Sequence, residues 1–234
     1  MKTIGLIGGM SWQSTVTYYQ LINEGIQKIL GGFHSAKLVL YSVDFDEIEK
    51  LQHQGKWSEM GSILNNAAKH LEEGGADFLI LCTNTMHKLS NQIVDGLNIP
   101  LLHIADATGE RIKASGIQKV GLLGTRFTME QDFYRKHLEI KSSIATIIPD
   151  LNDRKFIHMV IYDELCHGHI KPSSRKKYMN IISKLKHRGA EGVILGCTEI
   201  ALLVNPSQTS LPLFNTTEIH AHSAVNFALD GSNY

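Results

Sequence analysis

The chain has 234 residues, and its 23 lysines and arginines balance 23 aspartates and glutamates. This length is enough to bury a substantial core in one large domain or in two small ones. Because the net charge is zero, the chain lacks the positive field that draws a protein to nucleic acid or to an anionic membrane, so a small neutral or anionic partner is expected.

Short apolar runs typical of strands alternate with longer segments of helical period along the first half of the chain. In order, these segments are TIGLIGG, STVTYYQLINEGIQKIL, AKLVLYSVDF, MGSILNNAAKHLEEG and ADFLILC. Such alternation is typical of βαβ units, and continuous apolar runs indicate parallel strands that are covered on both faces. We therefore predict an α/β fold with mainly parallel sheets flanked by helices.

The second half of the chain repeats the pattern of the first in three ordered matches. The matching pairs are KTIGLIGG (2–9) with QKVGLLGT (118–125), GADFLILCTNT (75–85) with GAEGVILGCTE (189–199), and IPLLHIADA (99–107) with LPLFNTTEI (211–219). Ordered matches at nearly equal spacing indicate an internal repeat, although lookalike strands in any α/β protein are the simpler alternative.

The repeat predicts two similar α/β lobes related by pseudo-two-fold symmetry. We expect residues 1–100 with 210–234 to form the first lobe and residues 101–209 to form the second. Ligands of open parallel sheets bind beyond the carboxyl ends of the strands, where loops and helix N-termini present free N–H groups. One site between the lobes is therefore expected, formed by the loops that follow four of the strands.

The repeat also sets the register of the loops that contain Cys82 and Cys197. When the two copies are aligned at the glycines that open them, Thr83 matches Cys197, whereas Cys82 matches Gly196. Successive side chains of a strand alternate between its faces. We expect Thr83 to face the site and Cys82 to be turned into the packing, where free cysteines commonly lie.

Cys197 is the cysteine with the clearest sign of function. It precedes TEIALLV, which has the pattern of a helix start, where the macrodipole and free N–H groups favour thiolate over thiol. A thiolate there would serve as a nucleophile or a base. Cys166, in DELCHGH, is interpreted as a small hydrophobic residue.

Other features argue against metals, nucleotides and export. His167, His169, His220 and His222 have no further partner at recognisable metal-site spacing and are interpreted as surface residues, and GLIGG lacks the second glycine of the dinucleotide motif. The N-terminus lacks the apolar stretch of a secretory signal, no segment approaches the ~20 apolar residues that span a bilayer, and three scattered cysteines suit a reducing compartment. We predict a cytoplasmic protein.

Three short motifs occur in order in the two matched halves: GGMS at 8–11, NTMH at 84–87 and GCTE at 196–199. Together with VDFDEIEKLQHQGKW, LLHIADATG and LLGTRFTMEQDFY, they make the chain resemble the cofactor-independent aspartate/glutamate racemase family over essentially its whole length. Within that family it is most similar to the bacterial L-aspartate/glutamate racemases. The resemblance implies an amino-acid racemase that uses no pyridoxal phosphate (PLP) and assembles as a homodimer.

Family members usually hold two cysteines on opposite sides of the substrate α-carbon, one removing a proton as thiolate and the other returning one as thiol. The first of these normally stands directly before Asn-Thr, where this chain has Thr83. The second serves the L-enantiomer, so the resemblance implies Cys197 as the base for L-aspartate or L-glutamate, with Thr83 on the opposite face. Since a threonine hydroxyl is a far poorer base than a thiolate, we expect a preference for L substrates.

The resemblance also implies a set of residues that bind the carboxylates and the amino group of the substrate through amides, hydroxyls and backbone N–H groups. This set comprises Met10, Gln52, Asn84, Thr85, Thr125, Thr198 and Glu199. Glu199 is expected either to pair with the substrate ammonium or to tune Cys197. Aspartate and glutamate differ by one methylene, worth only about 1–3 kcal/mol, so the expected substrate is aspartate, glutamate or both.

Two other functions fit the same sequence. The first is another reaction of the two-lobed scaffold, such as isomerisation of an unsaturated diacid or racemisation of a hydantoin, in which a cysteine attacks carbon or moves a proton. The second is a non-catalytic amino-acid-binding or thiol-sensing protein, which is favoured if only one cysteine is competent. Substrate screening separates the first from the racemase, and exchange of the α-proton in deuterium oxide separates the second.

Overall fold

The computed structural model describes residues 1–230, which form two compact units. The first unit consists of residues 1–104 together with 220–230, and the second consists of residues 105–219. Within the described part of the chain, no helix combines the length and the apolar character needed to cross a membrane.

The first unit is built around a small parallel sheet. Its elements, in chain order, are β1 (Ile4–Gly8), α1 (Trp12–Leu30), β2 (Leu38–Ser42), α2 (Phe45–His53), α3 (Trp57–Glu73), β3 (Phe78–Leu81), a 3₁₀ turn (Thr85–Leu89) and α4 (Ser90–Ile93). The strand order is β2-β1-β3, and all pairs are parallel.

The second unit is built in the same way. Its elements are α5 (Ile104–Ala114), β4 (Lys119–Gly124), α6 (Arg126–Glu130), α7 (Asp132–Ser142), β5 (Ala145–Ile147), α8 (Leu151–Asp163), a 3₁₀ turn (Leu165–His167), α9 (Pro172–His187), β6 (Gly192–Gly196), α10 (Ile200–Leu203), a 3₁₀ turn (Pro206–Gln208), β7 (Leu213–Asn215) and α11 (Thr216–Leu229), with the last helix continuing into the first unit. The strand order is β5-β4-β6-β7, again all parallel. The predicted α/β class with parallel sheets is therefore confirmed.

The register of the two sheets reproduces the repeat in the sequence. Gly5 of β1 pairs with Leu79 of β3, and the matching Gly121 of β4 pairs with Val193 of β6. The third match also has a structural counterpart, because β7 pairs with β6 while a single parallel bridge joins Leu79 to Leu101 in the first unit. The alignment that equates Cys82 with Gly196 is thus the alignment of the strands themselves.

The unit boundaries differ from the predicted lobes at two short segments. Residues 101–104 lie in the first unit, where Leu101 forms its bridge to the sheet, and residues 210–219 lie in the second unit, where β7 pairs with β6. Strand pairing, which the sequence pattern alone does not locate, accounts for both differences.

The central strands of the first unit are buried on both faces, as their continuous apolar sequences predict. Ile4 and Leu6 of β1 pack with side chains of α1 and α11, whereas Ile7 packs on the opposite face with side chains of α2 and α3. All three are completely buried, and burial of an aliphatic side chain of this size contributes roughly 1.5–3 kcal/mol. The sheet therefore fixes where each strand ends, and with it the position of the loops that follow.

Candidate active site

The loop after β1 is shaped by Gly9 and capped by Ser11. Gly9 has a φ of 95°, and a Cβ atom there would collide with the carbonyl oxygen of Val43. Its N–H donates to Oγ1 of Thr15 at 2.8 Å, and Ser11 caps the start of α1. Because left-handed backbone is available mainly to glycine, this position fixes the path that brings Met10, a buried residue, to the carboxyl end of the sheet.

Cys82 is packed in the core, as the repeat predicts. It is completely buried in the cluster on the Phe78 and Ile80 face of β3, and burial raises the pKa of its thiol. Its N–H donates to the carbonyl oxygen of Ile7 at 2.9 Å, and its own carbonyl oxygen accepts from Oγ of Ser14 at 2.8 Å. The thiol is therefore a neutral, apolar part of the packing.

Thr83 follows directly and is half-buried, with Asn84 and Thr85 buried behind it. The N–H of Thr83 donates to the carbonyl oxygen of Leu81 at 2.8 Å, and its carbonyl oxygen accepts from Nδ1 of His87 at 2.8 Å. Both backbone polar groups of Thr83 are thus bonded, which defines the position of its Cβ and leaves only side-chain rotation free.

Gln52 lies on α2 rather than at a strand end. Its side chain is only 3% exposed, and its Nε2 has no hydrogen-bond partner within residues 1–230. A buried amide donor without a partner costs about 1–3 kcal/mol. An acceptor such as a carboxylate oxygen, bound beside Nε2 of Gln52, would remove that cost.

In the second unit, the three residues that follow β6 form a hydrogen-bonded group. The thiol of Cys197 donates to Oε2 of Glu199 at 3.0 Å, and Oγ1 of Thr198 donates to the same oxygen at 2.6 Å. Glu199 is only 5% exposed, while Cys197 and Thr198 are half-buried. The sequence places these residues side by side, and the structure joins them through one carboxylate oxygen.

The expectation that Cys197 is held as a thiolate by a helix N-terminus is wrong for this structure. The helix that follows, α10, has only 4 residues, so its dipole is small. Burial raises the pKa of Cys197 well above the ordinary value, and the negative charge of Glu199 raises it further. Cys197 is therefore a thiol whose proton is directed at a carboxylate.

Thr125 occupies the corresponding place after β4. It is buried and caps α6, with Oγ1 accepting from the N–H of Thr128 at 3.3 Å. The last residues of β4 and β6, Gly124 and Gly196, pair with each other, and a Cβ on Gly196 would lie 2.9 Å from a backbone carbonyl oxygen. The two strands can approach this closely only because glycine ends both, and the approach brings Thr125 and Cys197 to neighbouring strand ends.

The interpretation of His220 as a surface residue is wrong. It is completely buried, its Nδ1 accepts from the hydroxyl of Tyr18 at 2.9 Å, and its Nε2 donates to the carbonyl oxygen of Leu102 at 2.9 Å. Both ring nitrogens are thus occupied by protein partners and are not available to a metal. His167 and His169 are exposed, as predicted.

Two residues near the predicted site residues were missed. Cys166, interpreted as a hydrophobic residue, is half-buried, and burial together with the charge of Glu199 raises its pKa to about 12. His87, quoted only as part of a motif, bonds to the backbone of Thr83. The sequence feature that could have indicated this bond is the four-residue spacing between Thr83 and His87. A side chain at that spacing can reach back to the carbonyl of Thr83 when the intervening turn is helical.

Comparisons with known proteins agree over nearly the full chain. The sequence matches the family model for Asp/Glu/hydantoin racemase over residues 7–224. Broad specificity amino-acid racemase RacX of Bacillus subtilis (strain 168) is 24% identical over 236 residues, which cover 95% of this chain and 96% of that protein.

Two solved structures are more similar still. A candidate Asp/Glu racemase from Yersinia pestis is 53% identical with a TM-score of 0.93, covering 98% of this chain and 100% of that chain. An aspartate racemase homologue from Pyrococcus horikoshii OT3 is 35% identical with a TM-score of 0.86, again covering 98% and 100% of the two chains. Because the family model matches residues from both units, the chain belongs to the Asp/Glu/hydantoin racemase family.

Proposed function

We propose that this protein racemises aspartate, glutamate or both without a cofactor, with Cys197 as the base that removes the α-proton of the L-enantiomer and Thr83 on the opposite face of the substrate. The observation that carries the proposal is the hydrogen bond from the Cys197 thiol to Oε2 of Glu199, at 3.0 Å. This bond gives the thiol proton a fixed direction and makes ionisation of Cys197 depend on the charge of Glu199, which the ammonium group of a bound amino acid can offset.

In this proposal, the substrate changes the charge balance around Cys197. The negative charge of Glu199 opposes ionisation of the thiol in the free protein. The ammonium group of a bound amino acid would offset that charge and lower the pKa of Cys197. The thiolate then takes the α-proton, the electron pair of the C–H bond remains on the α-carbon, and a proton delivered to the other face completes inversion.

Burial of Cys82 supports an asymmetric pair of catalytic groups. Its thiol lies in an apolar cluster with a raised pKa, so we assign it no part in proton transfer. Thr83 is the half-buried residue at this strand end, and we propose that its hydroxyl delivers the proton, directly or through a water. A hydroxyl donates a proton but is a weak base, which is the reason to expect L substrates to be preferred.

We further propose that buried donors hold the two carboxylates and that the amino group lies near Glu199. Gln52 has a buried Nε2 without a partner in the described chain, which suits a carboxylate oxygen. Asn84, Thr85, Thr125 and Thr198 supply amide and hydroxyl groups at the strand ends, and Met10 supplies a backbone N–H.

The test is loss of the α-proton signal of each enantiomer of aspartate and glutamate in deuterium oxide, followed by proton NMR. We expect exchange with L substrates in the unaltered protein, its loss in Cys197→Ser, and its retention in the matched control Cys82→Ala. Because the two enantiomers have equal free energy, kcat/KM must be equal in the two directions, so the L preference is expected as a difference in kcat matched by one in KM. Exchange that survives Cys197→Ser would overturn the assignment of the base.

The raised pKa of Cys197 is also what a non-catalytic amino-acid-binding protein would show. That alternative predicts binding of L-glutamate, measured by calorimetry, without any loss of the α-proton. A diacid isomerase or a hydantoin racemase would instead turn over its own substrate in a screen while leaving both amino acids unchanged.

A further inference from the structure

We propose that His87 is a positioning residue that holds the Thr83 segment in place as a neutral imidazole with its proton on Nδ1. The inference rests on the proposed function only in the role that it gives to Thr83. The arrangement itself lies wholly within the first unit.

The hydrogen bonds of His87 leave one choice of tautomer. Nδ1 lies 2.8 Å from the carbonyl oxygen of Thr83, which can only accept, so Nδ1 carries the proton. Nε2 lies 3.2 Å from the backbone nitrogen of Ile104, which can only donate, so Nε2 is unprotonated. The ring therefore joins the backbone of Thr83 to that of Ile104 with both of its nitrogens used.

The surroundings of the ring keep it neutral. His87 is 1% exposed, and its ring packs edge-on against those of His103, at 4.6 Å, and His220, at 5.8 Å. Burial lowers the pKa of His87 well below the ordinary value, and the two neighbouring histidines lower it further. A proton on Nε2 would also displace the N–H of Ile104, so the observed bridge exists only in the neutral form.

The equivalent carbonyl in the second unit is held differently. The carbonyl oxygen of Cys197 accepts from the backbone N–H of Ile200 at 3.1 Å, and the residue that matches His87 in the repeat is Ala201. The carbonyl of the proposed base is therefore bonded by a backbone N–H, whereas the carbonyl of Thr83 is bonded by a side chain. Replacing that side chain should affect one face of the reaction and leave the other face intact.

Thr83 is proposed to act only on the face opposite Cys197, so its displacement has a specific signature. Proton removal and return by Cys197 exchanges the α-proton of an L substrate with retention, whereas inversion also requires the Thr83 side. A misplaced Thr83 should lower the ratio of inversion to exchange. A general loss of structure would lower both rates together and leave that ratio unchanged.

Two substitutions at His87 test its two hydrogen bonds separately. In His87→Asn, the side-chain NH₂ takes the position of Nδ1 and keeps the hydrogen bond to the carbonyl of Thr83. In His87→Gln, the longer side chain places its amide at the position of Nε2, and the hydrogen bond to Thr83 is lost. The matched control is His220→Gln, because His220 makes the same kind of two-bond bridge in the same buried cluster without bonding to Thr83. For each protein, proton NMR of L-glutamate in deuterium oxide gives exchange, and chiral chromatography gives inversion.

We expect the inversion-to-exchange ratio to fall about tenfold in His87→Gln, the effect of losing one hydrogen bond, and to stay within about twofold in His87→Asn and His220→Gln. Amide hydrogen exchange of residues 83–87 should be faster in His87→Gln than in His220→Gln. A ratio that is unchanged in His87→Gln, or that falls equally in His220→Gln, would overturn the inference.

Two further measurements use the unaltered protein. Nitrogen-15 NMR of the unaltered protein should show the Nδ1–H tautomer for His87, and an Nε2–H tautomer would refute the positioning role. If the unaltered protein shows no α-proton exchange with aspartate or glutamate, the proposed function fails, and the amide-exchange comparison then decides the role of His87 alone.

Discussion

The buried histidine His220 makes the stability of the protein sensitive to mild acid. Burial lowers its pKa from 6.5 to about 4, while its hydrogen bonds to Tyr18 and Leu102 fill both ring nitrogens. Because the folded-state pKa is the lower one, the unfolded chain takes up a proton first as the pH falls below 6.5. Stability from His220 is therefore present above that pH and is lost as the pH falls towards about 4.

The size of the effect follows from the two pKa values. Each pKa unit corresponds to about 1.4 kcal/mol, so the full shift from 6.5 to about 4 amounts to about 3 kcal/mol. At about pH 5 the unfolded state is almost fully protonated at this site and the folded state is not, which gives a loss of about 2 kcal/mol relative to about pH 8. This is a large share of the 5–15 kcal/mol that typically stabilises a folded protein.

The assay is urea unfolding at the two pH values, followed by circular dichroism, for the unaltered protein and for His220→Gln. The substitution removes the titrating group, so we expect its loss of stability between about pH 8 and about pH 5 to be smaller by about 2 kcal/mol. His222→Gln is the control, since His222 lies exposed on the same helix. Carboxylates contribute equally to all three proteins and cancel in the comparison.

The reasoning would be refuted if His220→Gln lost as much stability on acidification as the unaltered protein. If His220→Gln were less stable by the same amount at both pH values, the difference would reflect only the missing hydrogen bond to Tyr18. The pH-dependent difference is the quantity that belongs to the buried imidazole.

Three further predictions concern the strand-end residues. Glu199→Gln removes the charge that raises the pKa of Cys197, so the pH profile of Cys197 alkylation, followed by peptide mass spectrometry, should move to lower pH; an unchanged profile would contradict the assigned cause. Cys82→Ala should cost about 1 kcal/mol in urea unfolding through the small cavity it leaves, while exchange rates that drop with it would restore a role for that thiol. Thr83→Cys should raise the turnover of D substrates in a chiral assay, because a thiolate is the better base, and equal turnover would argue against Thr83 as the opposing group.

The register of the two strand-end loops could be predicted from the sequence because glycine spacing and apolar runs determine it. The match of Cys82 with Gly196 follows from aligning two glycine-led segments, and the sheets pair in the same register. The burial of Cys82 then follows from the alternation of side chains along β3, because Phe78 and Ile80 lie on the same face.

The helix expected after Cys197 is present but has only 4 residues, for a reason that the sequence also contains. TEIALLV has a helical pattern, but α10 ends at Leu203 because Pro206 follows closely. The residue before a proline is driven to extended backbone, and Asn205 has φ −104° and ψ 138°. A proline within three residues of the apolar run should have limited the helix, and with it the argument from the helix dipole.

The burial of His220 could have been inferred from its helix, whereas its partners could not. Ala221, Ala224, Val225 and Ala228 recur at helical spacing, and all four are buried, so His220 lies beside the inner face of α11. Its hydrogen bonds join it to Tyr18 and to Leu102, which are separated from it in sequence by 202 and 118 positions. Contacts at that separation depend on tertiary structure, which no local pattern specifies.

The two strand-end loops share a backbone register but differ in the groups that surround it, and these groups determine the chemistry. Glu199 follows Cys197 by two residues, and Thr85 follows Thr83 by two, so the carboxylate that raises the pKa of one position has no counterpart in sequence at the other. The carbonyl of Thr83 is bonded by an imidazole and that of Cys197 by a backbone N–H. A repeat therefore indicates where reactive groups stand, whereas proton affinity depends on neighbours that the two copies do not share.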